Sequence, residues 1–376
     1  MTAKEWSDSN PDYWTRYTNL QRTKHALVRN YLQGWFAMYR SWAGRLVYMD
    51  THAGRGKHRG GQLGSPLLAL RTLLRHKFRA RILRRCEVVF NFIELDKRNL
   101  RYLRKQTNKL GQLPSNVRVE TIHGDSFKVL TQWIGDTREN GDDRAPAFVF
   151  VDPYGFKMPG SVLRELMGLP RVELFVNVMW RELNMAIHRR RERGVARTLD
   201  LLFDGMPWRK RIASSHFDGR AEQALSLFRE VTGARWATYI RMPGRNGAIR
   251  YHLVHLTNHD AGRDLMKKCI WEACPVGGYY VRRAEGSSRH FAITREPDLV
   301  PLREWVLAKL DSRKRRWWDL LEDIRPEIWQ ECQVNRLIYS MHRRGIIRAD
   351  RYDGNFGPKA NPRLYLSHSR PNEPMR

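Results

Sequence analysis

The sequence predicts a doubly wound α/β protein, a mostly parallel sheet covered by helices on both faces. Two observations predict it: short apolar runs alternate with helix-period segments between residues 24 and 180, and four of those runs reach an acid at or just past their end. A third sets the scale, since 376 residues with 41% hydrophobic content can bury a sizeable core.

In order, KHALVRNYLQGWFAMYRSW (24–42) sets Leu27, Tyr31, Trp35 and Met38 at helical spacing. RLVYMD (45–50) is a first strand running into THAGRG, and GSPLLALRTLLRHKF (64–78) is a helix with Pro66 at its start. EVVFNFIELD (87–96) is a second strand, and KRNLRYLRKQTNKLG (97–111) is a helix closed by Gly111. VRVETIHGD (117–125), APAFVFVDPYG (145–155) and RVELFVNVMW (171–180) supply strands three to five, with a helix over SVLRELMGL before the fifth. Residues 181–233 are helical and basic, and ATYIRMPGRNGAIRYHLVHLTN (237–258) reads as two strands about a PGRNG turn that extend the same sheet. A helix over DAGRDLMKKCIWEAC (260–274) follows. Three short helices and a hairpin then predict a C-terminal winged-helix domain, with RYDGNFGPKANPR as its wing. The organisation predicted is a helical lead-in (1–43), a Rossmann-like domain (44–295) with a basic insert at about 181–233, and the winged-helix-like domain (296–376).

In a doubly wound sheet ligands sit at the carboxyl ends of the strands, where Asp50, Glu94, Asp125 and Asp152 fall. Ala53, Gly54 and Gly56 make a small-residue loop that backbone and ligand can share closely. The loop is not a nicotinamide fingerprint, because it runs on as GRGKHRGG, and Asp50 would repel a pyrophosphate. An acid there suits the charged amino acid end of S-adenosyl-L-methionine. Glu94 would accept both ribose hydroxyls, and Asp125 with Ser126 would face the adenine amine. Each acid has an ordinary alternative as a helix N-cap; three at successive tips favour the pocket. Asp152, Pro153 and Tyr154 at the fourth tip suit methyl transfer to an exocyclic amine, with the carboxylate accepting amine protons and the tyrosine stacking on a flipped base. The alternative is a β-turn with proline and glycine in their usual places.

Lys plus Arg number 68 against 39 acids, a net charge of +29 that points to a polyanion, most simply nucleic acid. Arg55 and Lys57 in the glycine loop, Arg189, Arg190 and Arg191 in the insert, and Arg315, Arg316, Arg343 and Arg344 near the C-terminus are the expected phosphate contacts, with Trp317, Trp318 and Tyr352 among two of these runs. Winged helices also serve as protein–protein modules, so the domain's partner is open. Four cysteines, Cys86, Cys269, Cys274 and Cys332, form neither a disulfide framework nor a zinc pattern and predict buried reduced thiols in a cytoplasmic protein. No apolar stretch long enough for a membrane span is present, and no metal or membrane is expected.

The motifs K…L..Y…W, YMDTHAGRG…GSPL, FIELD, FVDPYGF and TNHDAGRDLMKKCIW resemble, in the same order, the three-Cys-motif partner proteins of bacteria and phages, over about residues 12–365. That resemblance implies a Rossmann-fold, class I methyltransferase-like protein that occurs beside a radical-type iron–sulfur protein. DPYG also resembles the catalytic tetrapeptide of tRNA guanine-N2 methyltransferases and is a relative of the DPPY of adenine-N6 enzymes. Carried over, Asp50, Gly54 and Gly56 would hold the methionine end of the cofactor, Glu94 the ribose, Asp125 the adenine, and Asp152–Tyr154 the target amine. His52 departs from the family's aromatic, and Arg55 and Lys57 are unusual beside a sulfonium. The chain lacks the second proline of DPPY. Two functions follow as expectations: a methyltransferase acting on an exocyclic amino group of DNA or RNA, or a non-catalytic nucleic-acid-binding partner of the iron–sulfur protein.

Overall fold

The computed structural model describes residues 14–15, 17–141, 144–243, 248–273, 280–282, 290–292, 299–311, 313–352 and 354–367. The chain divides into two units, Met1–Ile293 and Thr294–Arg376.

The first unit opens with α1 (Asn19–Met38), capped by Thr18 in a capping box with Gln21, and passes into β1 (Gly44–Asp50). Then follow α2 (Ser65–Leu74), with proline in its first turn, α3 (Arg79–Leu83), β2 (Cys86–Glu94), α4 (Lys97–Asn108), β3 (Val117–His123), α5 (Ser126–Glu139), β4 (Ala147–Val151), α6 (Gly160–Gly168) and β5 (Val172–Val178). The basic stretch forms α7 (Trp180–His188), α8 (Arg193–Leu202), α9 (Trp208–Arg211) and α10 (Phe217–Thr232), the last ended by Gly233 in the left-handed conformation. β6 (Trp236–Pro243), β7 (Ile249–Thr257), α11 (Asp260–Glu272), β8 (Tyr280–Arg282) and β9 (His290–Ala292) complete it. Residues 244–247 of the predicted PGRNG turn lie outside the described residues.

The strands form one sheet in the order β3-β2-β1-β4-β5-β7-β6-β8-β9. β1 to β5 are mutually parallel, whereas β7 runs antiparallel between β5 and β6. This is the Rossmann-like arrangement of methyltransferases that the sequence predicts, with a detail it does not show: the hairpin folds back, so its second strand is the inner one. β8 and β9, three residues each, add an edge that the sequence reading misses.

Alternation along the strands sorts the side chains between two helical layers, because successive residues point to opposite faces. Val47, Met49, Val149, Val151, Leu174 and Val176 share a core with Leu130 and Ile134 of α5, Leu163 and Leu166 of α6 and Leu227 of α10. The opposite face is aromatic: Tyr31 of α1 stacks on Phe148 at 5.1 Å, Phe148 stacks on Tyr48 at 6.1 Å, and Phe150 on Phe175 at 5.9 Å. Thus the FVFV of β4 splits, phenylalanines to the α1 layer and valines to the other. Each such buried large side chain is worth about 1.5–3 kcal/mol. The buried Glu173 carboxylate on this face accepts from the Tyr31 hydroxyl and lies 3.1 Å from His255 Nε2. It fixes α1 against the sheet at the end opposite the strand tips.

The second unit comprises α12 (Val300–Asp311), β10 (Arg315–Arg316), α13 (Trp317–Ile324), α14 (Glu331–Arg343), β11 (Ile347–Asp350) and β12 (Arg363–Leu366), its sheet antiparallel in the order β10-β12-β11. Trp317 is 1% exposed and donates its indole N–H to Asn335 Oδ1 at 2.7 Å. It is a core residue and not a surface for a nucleotide, correcting the sequence reading, which set it beside the basic surface runs. Trp318 is 42% exposed. Cys332 is exposed as well, against the expected buried thiol; Cys86 and Cys269 are buried, and Cys274 lies outside the described residues.

Candidate active site at the strand tips

The loop after β1 is built on close backbone approach. Gly54 and Gly56 take φ values of +60° and +75°, the left-handed region that favours glycine. A Cβ on Gly56 would lie 2.7 Å from Leu103 Cδ1, and Gly64 donates its N–H to the Gly56 carbonyl at 2.7 Å. Ala53 N–H donates to the Ile93 carbonyl at 2.9 Å, and Ser126 donates its hydroxyl to the Thr51 carbonyl, so the tips of β2 and the start of α5 both hold this loop.

The four acids behave differently from one another. Glu94 is 5% exposed; its Oε2 accepts from Gly54 N–H and its Oε1 from Asp96 N–H, each at 2.7 Å. Burial raises its pKa against those bonds, and each oxygen retains a lone pair. Asp50 has no exposed surface and is pushed up to about 7 by burial, with the Asp152 charge adding to it and Ser65, the His52 N–H and Lys24 opposing. It therefore acts from inside, fixing the loop, and presents no open face to a ligand. Asp125 is a helix cap after all: its Oδ1 accepts from Phe127 N–H (3.0 Å) and Lys128 N–H (3.1 Å) at the start of α5. Only Oδ2, on this exposed side chain, is left for a ligand.

Asp152 is the acid with the densest surroundings. Lys24 of α1 pairs with its Oδ2, and Asn177 at the end of β5 donates to its Oδ1 at 2.6 Å. Burial alone would raise its pKa, but the Lys24 charge and hydrogen bond, then Asn177, hold it below the ordinary carboxylate value. Pro153 is buried and Tyr154 is 39% exposed, as an aromatic lip requires. Around Lys24 lie three histidines made neutral first of all by burial: His25 near 3, His52 and His58 near 4. Trp14 and Tyr17 pack on His58, each at 5.0 Å between centroids.

Sequence reasoning missed Lys24 as a site residue, Asn177 and His52. Asn177 follows the same rule that found the acids, being a polar residue near the end of a buried strand; Lys24 looks like one cation among 68 until the topology seats α1 beside β4. Leu95, directly after Glu94, is 65% exposed and offers an apolar shelf at the β2 tip.

The expected phosphate contacts divide. The guanidinium of Arg55 is engaged by the protein: Nε donates to Asn99 Oδ1 at 2.8 Å, and the group lies over Tyr102 (5.1 Å) and Trp14 (5.9 Å). That corrects its assignment to phosphate and also draws its charge toward α4. Arg315 is likewise tied inside its unit, to Asp323 at 2.6 Å. Arg189 is exposed but makes a double bond pattern to Glu192 at 2.7 and 2.8 Å. Lys57, Arg190, Arg191, Arg316, Arg343 and Arg344 are exposed. A stripe the sequence reading missed runs along α14, where Arg336, Tyr339 and Arg343 are exposed at spacings of three and four.

No protein-family model matches the chain, and no curated protein matches it. Among solved structures, the cyclopropane synthase MmaA2 from Mycobacterium tuberculosis aligns at 13% identity over 67% of this chain and 69% of that one, with a TM-score of 0.28. At that score the alignment bears on no residue's role; the strand order above defines the fold. Among the described residues no cluster of metal-ligating side chains exists, and no helix is long and apolar enough to cross a membrane.

Proposed function

We propose that the chain is an S-adenosyl-L-methionine-dependent methyltransferase acting on an exocyclic amino group of a nucleic-acid base. The observation that carries the proposal is Asp152, kept ionised at the β4 tip by Lys24 and Asn177 beside the glycine loop. The residues fit the cofactor. Gly56 leaves a cradle that a Cβ would fill, and Glu94 retains lone pairs suited to ribose hydroxyls. Arg55, the cation that fitted a sulfonium least, is turned to Asn99.

Gly54 and Gly56 would hold the methionine end, the Asp50 carboxylate acting through the loop it fixes, with Glu94 on the ribose and Asp125 Oδ2 and Leu95 on the adenine side. When bound, the cofactor supplies an electrophilic methyl group on sulfur. Asp152 orients the target amine by accepting one of its protons, which aims the nitrogen lone pair; Tyr154 stacks on the base. A base in a duplex must be flipped out to reach them. Asp152 is a proton acceptor only, since the Lys24 charge keeps it from carrying a proton to donate.

The second unit runs helix–strand–helix–helix–strand–strand, which supports a winged-helix reading with residues 351–362 as the wing and the α14 stripe toward the polymer. A non-catalytic partner of a radical-type iron–sulfur protein is the second reading, favoured by one fact: Lys24 already takes one oxygen of Asp152.

Tritiated methyl transfer to DNA, tRNA and rRNA in parallel, followed by nucleoside mass spectrometry, tests both. Incorporation that Asp152→Asn lowers by about 10²-fold or more, with cofactor binding retained in calorimetry, supports the enzyme. Cofactor binding without transfer to any polymer supports the partner.

A further inference from the structure

His52 takes no part in that reaction, although it stands in the loop between Asp50 and the neighbourhood of Asp152. Its ring is fixed. Nδ1 lies 2.7 Å from Thr51 Oγ1, the ring meets Phe127 edge-on at 6.4 Å, and its backbone N–H donates to Asp50 Oδ1. Thr51 Oγ1 itself donates to the Phe150 carbonyl at 3.1 Å. A hydroxyl has a single hydrogen, so the imidazole must be the donor in its contact with Thr51. The proton then sits on Nδ1, and Nε2 carries a lone pair.

That Nε2 has no hydrogen-bond partner among the described residues, and the ring is partly exposed. Burial keeps the ring neutral, so the lone pair persists at neutral pH. His52 and Asp152 are near enough that the charge of each bears on the other's protonation. A carboxylate offers about four acceptor positions, and Lys24 and Asn177 occupy one on each oxygen. Two acceptors of fixed orientation therefore serve the same end of the sheet.

We infer that His52 Nε2 and the Asp152 carboxylate form a two-acceptor seat for the two hydrogens of a primary amino group, selecting an amino base over its keto counterpart. The inference rests on the base-methylating reading above and deepens it. A keto oxygen would set its own lone pairs against Nε2 and a carboxylate, leaving all three unpaired, which is how hydrogen-bonding sites reject analogues.

The experiment has two arms, neither of which needs cofactor. Nitrogen-15 NMR of the histidine rings, with His52 assigned from the His52→Phe spectrum, reports which nitrogen carries the proton; Nδ1 is expected. Calorimetry compares adenosine and guanosine against inosine, and cytidine against uridine. One amino nucleoside should bind roughly 10–100-fold more tightly than its keto partner. His52→Phe, which keeps a ring and loses the acceptor, should remove that preference, and His52→Gln, whose Oε1 can stand near Nε2, should restore part of it. A proton on Nε2, a wild-type protein without preference, or a preference unchanged in His52→Phe overturns the seat. Failure of methyl transfer would instead overturn the preceding reading, and it is measured separately.

Discussion

The ammonium of Lys24 on α1 closes on Oδ2 of Asp152 at the tip of β4, and the two side chains are 7% and 16% exposed. An ion pair at that depth is strongly coupled, because removing one partner leaves a desolvated charge unmatched. Lys24→Met is expected to destabilise the protein by about 3–5 kcal/mol, and Asp152→Asn on that background to recover most of the loss. Urea denaturation of the four proteins gives the coupling directly. Additive effects would show that the two side chains do not depend on each other.

Gly56→Ala combines a left-handed φ with a Cβ that would press on Leu103 and Leu67. About 2 kcal/mol of stability should be lost, read as a lower urea midpoint at constant slope. Gly111→Ala, also at positive φ but in open space, should cost less.

The raised Asp50 carboxyl predicts a pH dependence. Its folded value near 7 exceeds the unfolded value of about 3.9, so between these the folded state holds the extra proton. Its contribution is present below pH ~4 and is lost as pH rises toward 7. His25, His52 and His58, held neutral, and Asp152, held ionised, act oppositely and lose their contributions as pH falls. Asp50→Asn isolates one component. Relative to wild type, it should gain stability on the order of 3–4 kcal/mol between pH 4 and 8. A difference that stays flat across that window would refute the raised value.

Arg336→Ala and Arg343→Ala should weaken nucleic-acid binding across sequences and each reduce the salt slope by about one. Fluorescence anisotropy over a salt series reads this. Trp318→Ala should weaken binding with the fold intact. Trp317→Ala should unfold its unit, by about 3–5 kcal/mol.

The parallel strands were legible because each is a buried apolar run, and the acids because a carboxylate has few reasons to end such a run. Where the hairpin's second strand inserts was not legible: the turn says that β6 and β7 are neighbours, and only burial on β5 decides which is inner. Helix α5 had a visible pattern in Phe127, Leu130 and Ile134, and a parallel crossover from β3 to β4 required it. Asp125 was misweighed, since a cap and a ligand contact use different oxygens of one carboxylate. Lys24 and His52 escaped because their roles depend on partners that sequence separation hides: a distant acid for one, the single hydrogen of a threonine hydroxyl for the other.

The docking of α1 has a consequence for synthesis. Its contacts with Asp152, Glu173 and Gly262 reach 128, 142 and 231 residues downstream. At about 5–20 residues per second, the helix leaves the ribosome roughly 6–25 s before its first of these partners is made. Through that interval Tyr31, Trp35 and Phe36 have no sheet to cover them. The segment that completes the site is thus the earliest made and among the last placed, and the nascent chain is most exposed to holdase chaperones there.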